Sequence, residues 1–211
     1  MRLALALVIV LSLVLAAPAA AARPKCALPS KAKVLTAGDY AVVYSVGDGP
    51  RKYRACVRRT GRKHLLQEDS TFDGEPVVRF MTVTGRYAGW LQILYDRWQQ
   101  TRGSVWVYDL KRGKLRWWGE GPFRPAGQGL EFTDFALAPN GRVAYVSLEH
   151  RREFPDPDGT PSQWRSVWAR DASGSRKLEE GRDAIDLTSL DIDGLTATWT
   201  SAGQSRSAQL Y

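Results

Sequence analysis

Histidine, cysteine and methionine are nearly absent, with two of each in 211 residues. His64 and His150 lie far apart, so no histidine pair has metal-ligand spacing. Two cysteines, Cys26 and Cys56, exclude a multi-disulfide scaffold, and the absence of a C-x-x-C motif leaves a redox role unsupported. No G-x-S-x-G elbow, H-E-x-x-H pair or G-x-x-x-x-G-K phosphate loop occurs. Helical periodicity is missing over any useful length, which points to an all-β class. Only residues 3–17 form a long apolar run, and that run falls short of the ~20 residues needed to span a bilayer.

That run has a role of its own. Arg2 precedes it, and Pro18 and the small residues 19–22 come after it, with Ala20 and Ala22 placed as an A-x-A cleavage site. This is the layout of a secretory signal over residues 1–22. The alternative is an uncleaved N-terminal anchor. Lipid attachment at Cys26 is disfavoured, because Arg23-Pro24-Lys25 replaces the small apolar residues that precede a lipid-modified cysteine. The mature chain, 23–211, is long enough for one domain with a sizeable core. In an exported chain an even pair of cysteines reads as one disulfide, here a staple between the N-terminal segment and the chain around Cys56. An intermolecular bond or two free thiols are the other options.

Within 23–211 a short phrase recurs: Gly, any residue, a strand former, Ala, any residue, a bulky strand former. It reads Gly38-Asp39-Tyr40-Ala41-Val42-Val43, Gly85-Arg86-Tyr87-Ala88-Gly89-Trp90, Gly141-Arg142-Val143-Ala144-Tyr145-Val146 and Gly194-Leu195-Thr196-Ala197-Thr198-Trp199. A period of about 50 residues marks a propeller or another repeat array. Repeat boundaries fall near 31–67, 77–118, 131–179 and 184–211. Each repeat carries strand runs separated by Gly, Asn and Asp turns. In the first, strands are expected over 31–37, 40–46, 51–58 and 63–67. In the second they cover 77–84, 87–95, 104–109 and 114–118, with a polar connector at 96–103 and a glycine- and proline-rich loop at 119–129. In the third they cover 131–138, 142–148, 163–169 and 176–178, and a polar excursion spans 150–162. In the fourth, 185–192, 195–200 and 204–211 supply three strands and no fourth. Four strands joined by hairpin-length turns make one propeller blade.

Repeats two and three resemble a known family. Phe135-Ala136-Leu137-Ala138-Pro139-Asn140-Gly141-Arg142-Val143-Ala144-Tyr145-Val146-Ser147 is similar to the S-P-D-G-x-x-φ-A-φ signature of TolB-type, WD-repeat-like β-propeller blades. Ala138 and Asn140 stand where the signature has Ser and Asp. In Val105-Trp106-Val107-Tyr108-Asp109-Leu110 and Val167-Trp168-Ala169-Arg170-Asp171-Ala172 a strand ends in Asp before a glycine turn, as in the second half of such a blade. The resemblance implies a binding scaffold. It also implies six or more blades, whereas four at most are present. An open arc, a distorted small propeller, or closure by a partner chain would each accommodate that number.

Eight tryptophans sit among arginines. Trp90, Trp106, Trp168 and Trp199 occupy repeated strand positions and read as packing between blades. Trp98, Trp117, Trp118 and Trp164 flank turns or connectors. With Arg97, Arg102, Arg151 and Arg152 they form a candidate binding surface, since aromatic and cationic groups together can stack on sugars or polyanions. The net charge of +8 favours anionic partners. Export makes nucleic acid a poor candidate and a cell-envelope glycan, polyanion or protein a better one. Asp156-Pro157-Asp158-Gly159 and Asp191-Ile192-Asp193-Gly194 lack the further carboxylates of a calcium loop, so no metal and no cofactor is expected. Ser189-Leu190-Asp191-Ile192-Asp193-Gly194 with Trp199 loosely resembles the Asp-box turn of sialidases, with one residue too many. The pairs Glu68–Asp69 and Glu179–Glu180 would serve a glycan-active hydrolase or lyase only if they converge in a cleft. The reading is an exported β-propeller-like binding module rather than an enzyme, with the long connectors 96–103 and 150–162 as its binding face.

Overall fold

Antiparallel pairing accounts for nearly all regular structure. The computed structural model describes residues 26–47, 50–69, 77–95, 101–124, 130–151 and 162–211. Among these no helix forms. The first sheet is β1 (Lys33–Ala37), β2 (Ala41–Val46), β3 (Lys52–Val57) and β4 (Lys63–Glu68). The second is β5 (Val77–Thr84), β6 (Tyr87–Tyr95), β7 (Thr101–Asp109) and β8 (Lys114–Arg124). The third is β9 (Leu130–Leu137), β10 (Val143–Arg151), β11 (Ser162–Asp171) and β12 (Gly174–Arg182). The fourth has three strands, β13 (Asp191–Asp193), β14 (Thr196–Ser201) and β15 (Gln204–Gln209). Within each sheet the strands keep chain order. Between sheets the first strands meet in the order β1, β5, β9, β13, so these line the inside of the array. No comparable contact returns from β13 to β1 among the described residues, and the array is open.

Each repeat glycine stands in the hairpin between the first and second strand of its sheet. Gly85, Gly141 and Gly194 adopt the left-handed region, where a Cβ is disfavoured. Gly38 does not, and its constraint is proximity: a Cβ there would lie 3.3 Å from the Val83 carbonyl oxygen of the next sheet. The phrase alanines Ala41, Ala88, Ala144 and Ala197 are all fully buried. They do not face one way round the array. Ala41 and Ala88 share the core between the first two sheets. Ala144 and Ala197 share the core between the last two. The middle seam is built instead from Tyr87, Leu91, Val105 and Val107 against Phe132, Val143 and Tyr145. Hairpin length alternates as well. Second and fourth sheets turn in two residues (Thr84↔Tyr87, Asp193↔Thr196), whereas first and third use longer loops (Ala37↔Val42, Leu137↔Val143).

Several segment limits differ from the sequence expectation. Thr101–Gly103 belong to β7, so the connector after β6 is shorter. Residues 119–124 extend β8 instead of forming a loop. Proline is tolerated there because β8 is a sheet edge, where a missing N–H costs no ladder bond. His150 and Arg151 complete β10, Ser162 opens β11, and β12 runs to Arg182. In the fourth sheet 185–190 is not a strand. Asp186 accepts hydrogen bonds from the backbone N–H and hydroxyl of Thr188, and that local turn displaces ladder pairing. Only Ile185 makes a bridge, to Ser201.

Candidate functional site

A meander of four strands sends its connections alternately to two rims. The glycine hairpins and the third-to-fourth-strand turns share one rim. The second-to-third-strand connections and the links between sheets leave from the other. The core of both long connectors, 96–100 and 152–161, lies outside the described residues. The strand ends that flank them, at Tyr95, Thr101, Arg151 and Ser162, lie on the second rim, as do the ends of β2 and β3 at Val46 and Lys52.

The hairpin rim is committed to holding the array together. Asp109 and Asp171 each end a third strand and are buried. The Asp109 carboxylate accepts the N–H groups of Lys111 and Arg112 (3.0 and 3.1 Å) and lies 3.3 Å from Arg86. Asp171 accepts the backbone N–H of Ser173 (2.9 Å) and Tyr211 (3.0 Å) and pairs with Arg176 (3.0 Å). Burial alone would raise the Asp171 pKa, but the bonds from Ser173, Tyr211 and Arg176 outweigh it and leave the carboxyl below the usual range. These aspartates fix turns and are occupied.

The opposite rim carries a cleft of about 530 Å³ at the seam of the first two sheets. Lys31, Lys33 and Arg51 contribute cations, Ser45 and Tyr53 hydroxyls, and Leu35 and Phe80 apolar side chains. Two β-bulges shape it. Leu35 is the unpaired residue of β1, between Val34↔Tyr44 and Thr36↔Val43. Phe80 and Met81 oppose one residue of β6, between Arg79↔Leu91 and Thr82↔Gly89. A bulge re-aims the side chain it carries. Leu35 and Phe80 stand 38% and 39% exposed. Phe80 has φ 50°, a left-handed conformation that a bulky residue adopts only at a cost. Burial and the neighbouring Asp69 carboxylate push the Tyr53 phenol pKa up, partly offset by the hydrogen-bonded Arg51 side chain. Lys33 and Arg51 make no ion pair among the described residues.

A second polar cluster lies on the third sheet. Glu149 is fully buried and accepts two bonds from Arg151 (3.0 and 2.7 Å). Arg151 also binds Glu180, which pairs with Lys177 at 2.8 Å. Burial would raise the Glu180 pKa, yet Lys177 and Arg151 hold it below the usual carboxylate range. The Trp164 ring lies under two guanidinium groups, Arg151 at 4.6 Å and Arg182 at 5.3 Å. Trp168 stacks parallel to Tyr145 and carries Lys177 at 5.1 Å.

The sequence-selected residues therefore scatter. Arg97, Trp98 and Arg152 lie outside the described residues. Trp118 is described on β8 in its backbone alone. Trp117 is half-buried against the middle seam, with Arg116 4.7 Å above its ring. Arg102 is exposed on β7. Arg151 and Trp164 come together, inside an ion-pair cluster. The residues that line the cleft are not among those the sequence reading selects. A trace of them exists in the sequence, because Lys31, Lys33 and Leu35 alternate along one short run. The bulge that presents Phe80 leaves no such trace.

Glu179 and Glu180 do not form a pair. Successive strand residues face opposite sides. Glu179 accepts hydrogen bonds from Trp199 and Ser201 of the fourth sheet, both 2.5 Å, while Glu180 faces Arg151. They sit within β12 and not on a turn. Glu68 pairs with Lys52 at 2.9 Å. Among the described residues no group of three or more His, Cys, Asp or Glu side chains could hold a metal ion. Residues 156–159 lie outside the described set. Cys26 and Cys56 form a disulfide with a Cα separation of 5.9 Å.

No family model matches the chain, and no curated protein does. Solved structures do match. One is the β-propeller domain of the Trilobed protease from Pyrococcus furiosus, described as having an open velcro topology. Its TM-score is 0.50 at 11% identity, over 81% of this chain and 49% of that one, so this chain spans about half of its length. At this identity the likeness concerns fold alone. Four antiparallel sheets, inner strands in sequence order and this neighbour together identify the chain as an open, β-propeller-like array.

Proposed function

We propose that this protein is an exported binding module of the TolB or WD-repeat-like propeller type, with its ligand face on the rim opposite the glycine hairpins. The observation that carries the reading is the division of labour between the rims. One is filled with buried aspartate caps and arginine pairs. The other holds an open cleft. Residues 1–22 act as a cleaved export signal and 23–211 form the mature domain. The disulfide supports export, because such bonds persist in oxidising compartments. Among the described residues no helix is long and apolar enough to cross a membrane. The partner is a protein or an anionic glycan of the cell envelope, and no nucleic acid or cofactor is required. The mass of the protein recovered from its host should match a chain starting at Arg23. Immobilised envelope polyanion should retain it at low salt and release it as salt rises. Retention that ignores salt would exclude the polyanion reading, and an intact N-terminus would exclude cleavage.

A further inference from the structure

The cleft between the first two sheets combines features that rarely coincide without use. Two neighbouring inner strands each carry a bulge, and both bulged segments present an apolar side chain, Leu35 and Phe80, to the same opening. Elsewhere an exposed apolar residue is unremarkable. Here Phe80 also holds a left-handed backbone. A strained non-glycine residue persists only where the surroundings impose it, and such residues cluster at ligand sites. Asparagine would occupy that conformation more comfortably. Beside this apolar wall stand Lys33, on β1, and Arg51, just before β3, neither of them in an ion pair among the described residues. Ser45, which also lines the cleft, pairs with Lys33 on one side and Tyr53 on the other. The cleft volume, about 530 Å³, falls within the range of small-molecule sites.

We infer that this cleft binds a small amphiphilic anion, with its oxyanion held by Lys33 and Arg51 and its apolar part laid against Phe80 and Leu35. The inference rests on the proposed ligand rim and narrows it to one site and one ligand chemistry. A carboxylate and a phosphate both satisfy it. Arg51 offers two parallel donors and Lys33 a point charge, so either headgroup can be engaged.

Isothermal titration of the purified protein with octanoate, octyl phosphate and neutral octyl glucoside tests it. One equivalent of at least one anion should bind, at least tenfold more tightly than the glucoside. The better of the two anions identifies the headgroup. Lys33→Ala and Arg51→Ala should each weaken that anion at least fivefold and leave the glucoside unchanged. Phe80→Asn should also weaken it at least fivefold while the melting temperature stays level or rises, a combination that loss of folding cannot produce. Lys33→Gln serves if the alanine variant fails to fold. Equal affinity for the anions and the glucoside would overturn the inference, as would anion binding that none of the three sites affects. Retention on envelope polyanion is measured separately, so loss of the cleft would leave the rim reading to its own result.

Discussion

Two buried ionisable side chains set how this protein should respond to acid. His64 is buried against the turn of the second sheet. Its ring is hydrogen-bonded to the Leu110 backbone, and burial and nearby Arg62 lower its pKa. Below about pH 6.5 the unfolded chain takes up a proton that folded His64 resists. Stability should therefore be full above that pH and decline as pH falls through it. His64→Phe should remove this upper step from a pH series of denaturant melts. Asp171 adds a lower step. Its folded pKa is depressed, so its contribution is complete above about pH 4 and is lost on further acidification. At neutral pH Asp171→Asn should cost about 3 kcal/mol, because it strands Arg176 and weakens the bond to the Tyr211 backbone. Urea unfolding would show it. The terminal Asp of the third strand is visible in the sequence as a pattern. That it pins the last sheet to the third is not, since Asp171 and Tyr211 belong to different repeats.

At the scale of the element, the hairpin glycines are equal in sequence and unequal in space. A Cβ at Gly141 would lie 2.9 Å from the Tyr87 ring, on a backbone with φ 81°. At Gly194 it would meet nothing within 4 Å, with φ 57°. Gly141→Ala should thus cost about 2–4 kcal/mol, conformational strain plus a clash, and Gly194→Ala only about 1 kcal/mol. Equal losses in thermal melts would mean that the packing of this hairpin against the neighbouring sheet is energetically idle. The elements also show why strand limits are only partly legible. The two central strands of each sheet pair with each other without a register shift, and their runs are recognisable. The flanking strands of the first three sheets do not. Bulges recur opposite the last residue of the phrase in the first three sheets, at Val43, Trp90 and Val146. The outer strands β4, β8 and β12 carry shifts as well. A bulge inserts a residue and inverts the pattern beyond it, so no single periodicity describes these strands. The cleft depends on two of those bulges, which is why its residues do not stand out in the sequence as the tryptophans do.

For the whole molecule, stability comes from three seams and one covalent tie. Each sheet hides its apolar faces against neighbours, as in other repeat arrays. The disulfide fastens the segment at Cys26 to the third strand of the first sheet, with a sequence separation of 30. In the chain-entropy model it contributes roughly 3–4 kcal/mol. Replacing both cysteines with serine should lower stability by about that amount, and it should do so without shifting the acid steps of His64 or Asp171. A combined melt and pH titration of the double variant would check both halves. Loss of less than about 1 kcal/mol would show that the N-terminal segment is held by its packing instead.

The amino-acid sequence alone determined the all-β class, the four repeats and the three-stranded last repeat. These depend on local composition and on spacing along the chain, which need no knowledge of neighbours. Tertiary structure decided everything that depends on which faces meet. It set the pairwise facing of the phrase alanines, the separation of Glu179 from Glu180, and the enclosure of Trp164 by arginines. It also placed Lys33, Arg51 and Phe80 around one opening, because a one-residue bulge can turn a side chain from core to cleft without changing the sequence pattern around it.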